Sequence, residues 1–569
     1  MKREIKLNKV PNITSIQEMV LNSAREFGSK HAIEDLNSTP INRLTFSELK
    51  HNILKFGNAL KNLGVKERTH IALIGENRVQ WSLTFLTSMS FNYVIVPIDK
   101  NLTQNEIINI IHESDSEVIV FSGAFSSMIS ESKGSLKRLK HFICMDETFE
   151  DKSFLNMVEM MRKTDAAYES DLPKINPDDL AEIIFTSGSL GRAKGVMLTQ
   201  KNLSSNLVDM VSMLLIDSND RFLSVLPIHH TYECTCGMLC PLYRGASVFY
   251  ARSLKTVVDD IQKVKATILL GVPLLFDKMF KRIVKSINED KVKSKIVPPL
   301  VKLTNVFTQI GLKDLKKKVF SELHEKFGGS VRIFIAGGAA PDPLVAKGLR
   351  EFGFNFVQGY GLTETSPIVA LNQLNNFKDD AAGIPLTRVE VKIHNPGENG
   401  SGEIWVKGPS VMPGYYKNDK LTAEAFEDGW FKTGDIGFID EDGFLHINGR
   451  KKNVIISKSG KNVFPEEIED LLNRSPYILE SMVFGQDDEK QGEIIAVQIV
   501  ADAEAFIEFA ERQNVSITKE LIESKINEEI AKVNGQLAAY KQIKKIHVRE
   551  QEFEKTTTQK IKRYLVKNE

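Results

Sequence analysis

The run Thr186-Ser187-Gly188-Ser189-Leu190-Gly191-Arg192-Ala193-Lys194-Gly195 follows the apolar stretch Ile183–Phe185. Small residues let a backbone approach oxyanions closely, hydroxyls and N–H groups donate to them, and the Lys194 ammonium adds a point charge. The chemistry open to such a turn is the binding of a polyphosphate. Its spacing is not that of a Walker loop, since G-x4-G-K-[ST] is not met, and a ligand-free turn is the alternative. A second group, Cys234, Cys236 and Cys240, stands as C-x-C-x3-C in an apolar segment. Without a second pair it reads as buried packing rather than a metal site.

A phosphate-binding turn after an apolar run asks for a sheet to carry it. Residues 70–98 supply an apolar run (HIALIG), a helical pattern around Trp81–Met89 and a second apolar run (YVIVPID), the rhythm of a parallel sheet. Similar runs recur at Val118–Phe121, Ala246–Tyr250, Thr267–Leu270 and Val331–Ile335. An open α/β fold follows, with sites at the carboxyl ends of its strands. From about residue 383, short β-like pieces alternate with Gly, Pro, Asn and Asp, which predicts a small β-rich subdomain. After Arg450 the chain restarts as a compact α+β unit. The expected division is 1–449, a link at 450–453, and 454–569.

The chain has 569 residues, more than one ordinary core holds. Lys+Arg and Asp+Glu both total 74, so no charge excess points to nucleic acid. Four cysteines in this length suit a reducing compartment, and the cytoplasm is the expected location. No apolar run reaches the length of a spanning helix. Segment 278–327 is lysine-rich, with apolar residues at helical spacing. It reads as a solvated face, or as a peripheral contact with anionic lipid on the inner face of a membrane.

The Thr186–Gly195 run resembles the phosphate loop of the adenylate-forming superfamily (AMP-binding enzymes), usually T-S-G-[ST]-T-G-x-P-K-G. Here Leu190 replaces a Thr and Ala193 a Pro. The resemblance places Thr186, Ser187, Gly188, Ser189, Gly191 and Lys194 around phosphates. It continues in order along the chain. In LPIHHTYE it sets His230 beside the carboxylate of the substrate. In IAGGAAP it lays the backbone of Gly338, Ala339 and Ala340 along adenine. In QGYGLTETSP it implies that Tyr360 stacks on adenine next to Gly361, Thr363 contacts the α-phosphate and Glu364 ligates Mg²⁺. Asp435 and Arg450 would hold the ribose hydroxyls, and Lys452 would be the hinge of a mobile C-terminal domain. EKTTTQKIKRY resembles the terminal signature, with Lys560 as the adenylation lysine, Glu554 in place of Pro and Gln559 in place of Gly.

What the resemblance implies is a ligase working in two steps. A carboxylate attacks the α-phosphorus of ATP, giving acyl-AMP and pyrophosphate, and a thiol then takes the acyl group. Within the superfamily the chain is most similar to long-chain fatty acyl-CoA synthetases. Coenzyme A is the expected acceptor, with an acyl carrier protein, an aryl or short-chain acid, or a non-catalytic binding protein as alternatives.

Overall fold

The computed structural model describes residues 5–37, 42–147, 151–186, 193–309, 315–457, 461–488, 492–556 and 560–566. Two compact units result. The first comprises Met1–Val391, Val406–Phe431 and Glu441–Phe444; the second comprises Lys392–Trp405, Lys432–Asp440 and Leu445–Glu569. Contact compactness therefore assigns to the second unit several strand segments that precede residues 450–453.

The first unit is α/β, as the alternating apolar runs require. One sheet has seven strands in the order Leu155–Asn156, His141–Cys144, Val118–Phe121, His70–Ile74, Val94–Ile98, Leu180–Thr186 and Lys194–Thr199. Its neighbours are parallel except for the last pair, a hairpin in which Thr186 faces Lys194. The other sheet has nine strands. Six consecutive ones are parallel: Asn355–Gly361, Ile333–Ala336, Ile268–Gly271, Arg221–Ser224, Ser247–Tyr250 and His31–Asp35. Both faces of these strands are covered, which is why they read as continuous apolar runs rather than as alternation.

Helices between the strands start where side chains can satisfy orphan N–H groups. Thr45 with Glu48, and Thr103 with Glu106, form reciprocal capping boxes at the helices Phe46–Asn62 and Gln104–Glu113. Every residue of the helix Val79–Ser90 is buried, Trp81 among them. Helix Pro273–Glu289 buries Phe276, Met279 and Ile283 in the core beneath Phe334 and Phe354.

The second unit holds most of a five-stranded sheet built from Glu390–His394, Gly402–Lys407, Phe426–Glu427, Trp430–Ile439 and Leu445–Arg450. It continues as an α+β module. There a three-stranded sheet (Ile478–Asp488, Gly492–Ala501, Lys545–Arg549) packs with helices Pro465–Leu472 and Lys519–Asn534 around Ile468, Val483, Val497 and Ile530.

Candidate active site

In the first unit the site is built at the carboxyl end of the parallel strands. Strand Ile333–Ala336 runs beside Asn355–Gly361, with Ala336 opposite Gln358. The exposed turn Gly338-Ala339-Ala340 leaves the first strand, and Tyr360 and Gly361 end the second. Gly361 must be glycine, because a Cβ there would stand 1.9 Å from the Pro367 carbonyl oxygen. Thr363 and Glu364 follow on the short 3₁₀ turn Thr363–Thr365, a position fixed by backbone pairing rather than by a long mobile loop.

Glu364 is held from two directions. Its Oε1 accepts the Tyr415 hydroxyl at 2.9 Å, and its carbonyl accepts the Met412 N–H at 2.9 Å. The buried Tyr415 ring lies 5.3 Å from the Lys194 ammonium, within cation–π range. The chain at Tyr415 also pairs with Val196, so one strand end ties Lys194 to Glu364. Thr231 Oγ1 donates to Thr363 Oγ1 at 3.2 Å. The Tyr232 N–H donates to His230 Nδ1 at 3.2 Å. That bond leaves Nδ1 as acceptor and puts the proton of the neutral ring on Nε2, where a carboxylate or phosphate oxygen could accept it.

Tyr232 opens a π-helical segment, Tyr232–Leu239, of the kind that recurs at functional sites. Its hydroxyl donates to the Ile335 carbonyl at 3.1 Å, and its ring fills the place a Cβ on Gly337 would need, 2.6 Å away. Behind it lies a small apolar cavity of about 40 Å³. Phe222, Tyr232, Cys236, Cys240, Gly359 and Ile368 are among its walls. The cavity thus shares the strand Asn355–Gly361 with the turn that carries Thr363 and Glu364.

All four cysteines are buried and free, and no group of three or more metal-capable His, Cys, Asp or Glu side chains occurs among the described residues. Burial pushes the Cys234 and Cys236 thiols well up. Burial also pushes the carboxyls of Glu182 and Glu233 up to about 8, so both are largely protonated at neutral pH.

In the second unit three candidate residues meet. Asp435 and Arg450 face each other in register on adjacent antiparallel strands, with Arg450 Nε 2.8 Å from Asp435 Oδ1. Asp435 is buried, and its N–H donates to Thr433 Oγ1 at 3.0 Å. The T-G-D-I-G segment also reads as a loop, yet it is strand interior. Lys560 is tied to Thr556: its N–H donates to Thr556 Oγ1 at 3.2 Å, and the Thr556 N–H donates to its carbonyl at 2.8 Å. The residue as a whole is exposed, but its ammonium is desolvated, which lowers its pKa. The Arg450 charge lowers it further, and Asp435 partly offsets this. Lys452 lies in the 3₁₀ turn Lys451–Asn453 immediately after Arg450.

Ser187, Gly188, Ser189, Leu190, Gly191 and Gln559 lie outside the described residues; Thr186 and Lys194 flank the first of these gaps as a strand pair. Reading the sequence missed three residues that touch the predicted ones: Tyr415, Thr231 and Tyr232. The last two sit inside LPIHHTYE, where polar types in an apolar setting are a usable signal. Tyr415, in PGYYKN, carries no such signal because its contact with Glu364 spans a long stretch of chain.

Comparison with known proteins identifies the family. The family model described as AMP-binding enzyme matches residues 20–416, and that of the AMP-binding enzyme C-terminal domain matches residues 467–560. A long-chain-fatty-acid–CoA ligase of Mycobacterium bovis is 27% identical over 92% of this chain and 90% of its own length. A chloroplastic long-chain-fatty-acid–[acyl-carrier-protein] ligase of Arabidopsis thaliana is 28% identical over 91% of this chain and 80% of its own. The crystal structure of an anthranilate CoA ligase in complex with anthranoyl-AMP superposes with a TM-score of 0.79 at 20% identity, covering 98% of both chains, and supports the fold. With the family model spanning most of its length, this chain belongs to the AMP-binding enzyme family.

Proposed function

We propose that the protein is an acid–thiol ligase that converts a long-chain fatty acid to its acyl-adenylate with ATP and passes the acyl group to coenzyme A. The observation that carries the reading is the Thr363–Glu364 turn at the end of strand Asn355–Gly361, a strand that also walls the small apolar cavity. An apolar acid that widens that cavity by displacing its lining side chains would present its carboxylate toward the polar turn, with His230 beside it.

A carboxylate is a poor electrophile, and attack of its oxygen on the α-phosphorus creates a mixed anhydride with AMP as leaving group. Negative charge grows on the α-phosphate as that bond forms. The Thr363 hydroxyl and the Lys560 ammonium are the donors suited to offset it. Lys194 and the hydroxyls of the 186–191 turn would hold the departing pyrophosphate. The turn Gly338–Ala340, with Tyr360 and Gly361, would seat adenine, and the Asp435–Arg450 pair the ribose. Glu364 offers one hard oxygen site backed by a phenol, which fits Mg²⁺ held jointly by one carboxylate and substrate phosphates. Bound there, Mg²⁺ supplies charge neutralisation on the phosphates.

The second step needs Lys560 withdrawn and a thiol admitted. A hinge at Lys452, between residues 1–449 and a mobile 454–569, would serve both needs, because a 3₁₀ turn of a few residues can absorb the φ/ψ change. An acyl carrier protein is the alternative acceptor, favoured by the similarity to the Arabidopsis ligase. Pyrophosphate release across acids of graded length, with coenzyme A and carrier protein compared side by side, tests the reading. Turnover confined to aryl or short acids would overturn the substrate class.

A further inference from the structure

The amphipathic pattern of helix Pro273–Glu289 is used up inside the protein, since its apolar residues Phe276, Met279 and Ile283 are core. The next helix, Lys293–Gln309, differs in having two apolar faces. Val297, Leu300 and Val301 pack against the core, and Thr304 is buried with them. On the outer side Ile296 and Leu303 are each about half exposed, at 49% and 52%, and Val306 is 57% exposed. Val292, just ahead of the helix, is 63% exposed. Positions 292, 296, 303 and 306 recur at helical spacing, so they form one outward stripe.

Lysines border that stripe. Lys291, Lys295 and Lys302 are exposed and make no ion pair among the described residues, whereas Lys293 is paired with Glu322 at 2.7 Å. Residues 291–309 contain no Asp or Glu. An exposed apolar row flanked by unpaired cations, on a helix whose other face is anchored, matches a surface with an apolar interior and anionic headgroups. None of the described helices is long and apolar enough to cross a membrane, so the contact would be one of lying on rather than spanning.

We infer that the outward face of helix Lys293–Gln309 docks on a membrane surface carrying anionic lipid. The stripe enters the acyl boundary, and Lys295 and Lys302 meet headgroup phosphates. This inference stands on the helix alone and holds whether or not the proposed reaction is correct.

Co-sedimentation of the full chain with vesicles of phosphatidylcholine, or of phosphatidylcholine with phosphatidylglycerol, tests it. Binding is expected to the anionic vesicles, weakening as salt rises. Lys295→Glu with Lys302→Glu should weaken partitioning by about 25-fold or more, taking about five-fold per lysine lost. Ile296→Ser with Leu303→Ser should weaken it by about ten-fold or more while the protein still unfolds in one cooperative transition, since each side chain is about half exposed. A control with Lys255→Glu and Lys420→Glu should bind like the parent. No binding to anionic vesicles, equal binding to neutral ones, or binding indifferent to both helix variants would overturn the inference. So would a concentration-dependent dimer that the serine variants dissociate without changing vesicle binding, which would make the stripe an interface between copies.

Discussion

The Tyr415 hydroxyl donates to Glu364 Oε1 at 2.9 Å, while the face of the same ring lies 5.3 Å from the Lys194 ammonium. One aromatic side chain therefore orients the carboxylate proposed to meet the metal and flanks the cation proposed to meet pyrophosphate. Tyr415→Phe keeps the ring and removes only the donor. It should lower kcat/KM for ATP by about ten-fold, in line with losses on removing a ligand's supporting hydrogen bond. Titration with Mg²⁺ separates this from misfolding: the half-saturating Mg²⁺ concentration should rise and excess Mg²⁺ should recover much of the rate. A rate loss that Mg²⁺ leaves unchanged would count against the role of Glu364.

Lys560 has a lowered pKa, so its charge is lost at a lower pH than that of an ordinary lysine. Only the protonated ammonium can offset charge on the α-phosphate. Acyl-AMP formation should then fall as pH rises through this pKa, and Lys560→Arg, whose guanidinium stays charged, should flatten that alkaline limb. Lys560→Ala should cut acyl-AMP formation by about 10²–10³-fold while thioester formation from supplied acyl-AMP stays within a few-fold of the parent. Equal loss of both half-reactions would contradict the separation of roles.

Glu182 is buried in the strand Leu180–Thr186, its Oε1 has no hydrogen-bond partner among the described residues, and burial pushes its pKa from 4.5 up to about 8. Between those values the folded chain keeps a proton that the unfolded chain releases, so stability falls as pH rises across that window. Glu182→Gln removes this residue's share of the slope and leaves that of Glu233. The variant should gain stability over the parent progressively from about pH 5 to about pH 8, by a few kcal/mol at most, and the gap should then level off. Denaturant midpoints measured across this range would show it; parallel pH profiles would refute the buried neutral carboxyl.

Cys236 lines the apolar cavity, with Sγ 3.5 Å from Met210 Sδ. Cys236→Phe puts a ring where an alkyl chain would lie. It should lower kcat/KM for long-chain acids by about ten-fold or more while short acids change by less than about three-fold. A uniform loss across chain lengths would point to a packing defect rather than an acyl cavity.

The parallel strands were legible because burial on both faces writes them as apolar runs. Val118–Phe121 matches its strand end for end. Asp435 was legible only through family resemblance: alternation in Trp430–Ile439 is interrupted by Gly434 and Gly437, which imitate a loop. The cavity was not legible, because its Cys, Met, Phe and Ile walls have the composition of core, and only the π-helical register at Tyr232–Leu239 turns them toward one space. Likewise the outward stripe on Lys293–Gln309 is invisible in a pattern that looks for one apolar face, since that helix has two.

The central claim is carboxylate activation by ATP, and rapid-quench detection of acyl-AMP tests it most directly. Purified protein mixed with a long-chain fatty acid, ATP and Mg²⁺, without any thiol, should form a burst of acyl-AMP with pyrophosphate in equal amount. Coenzyme A added next should discharge the acyl-AMP to acyl-CoA. No acyl-AMP above that of a Lys560→Ala control, with any acid tried, would contradict the account.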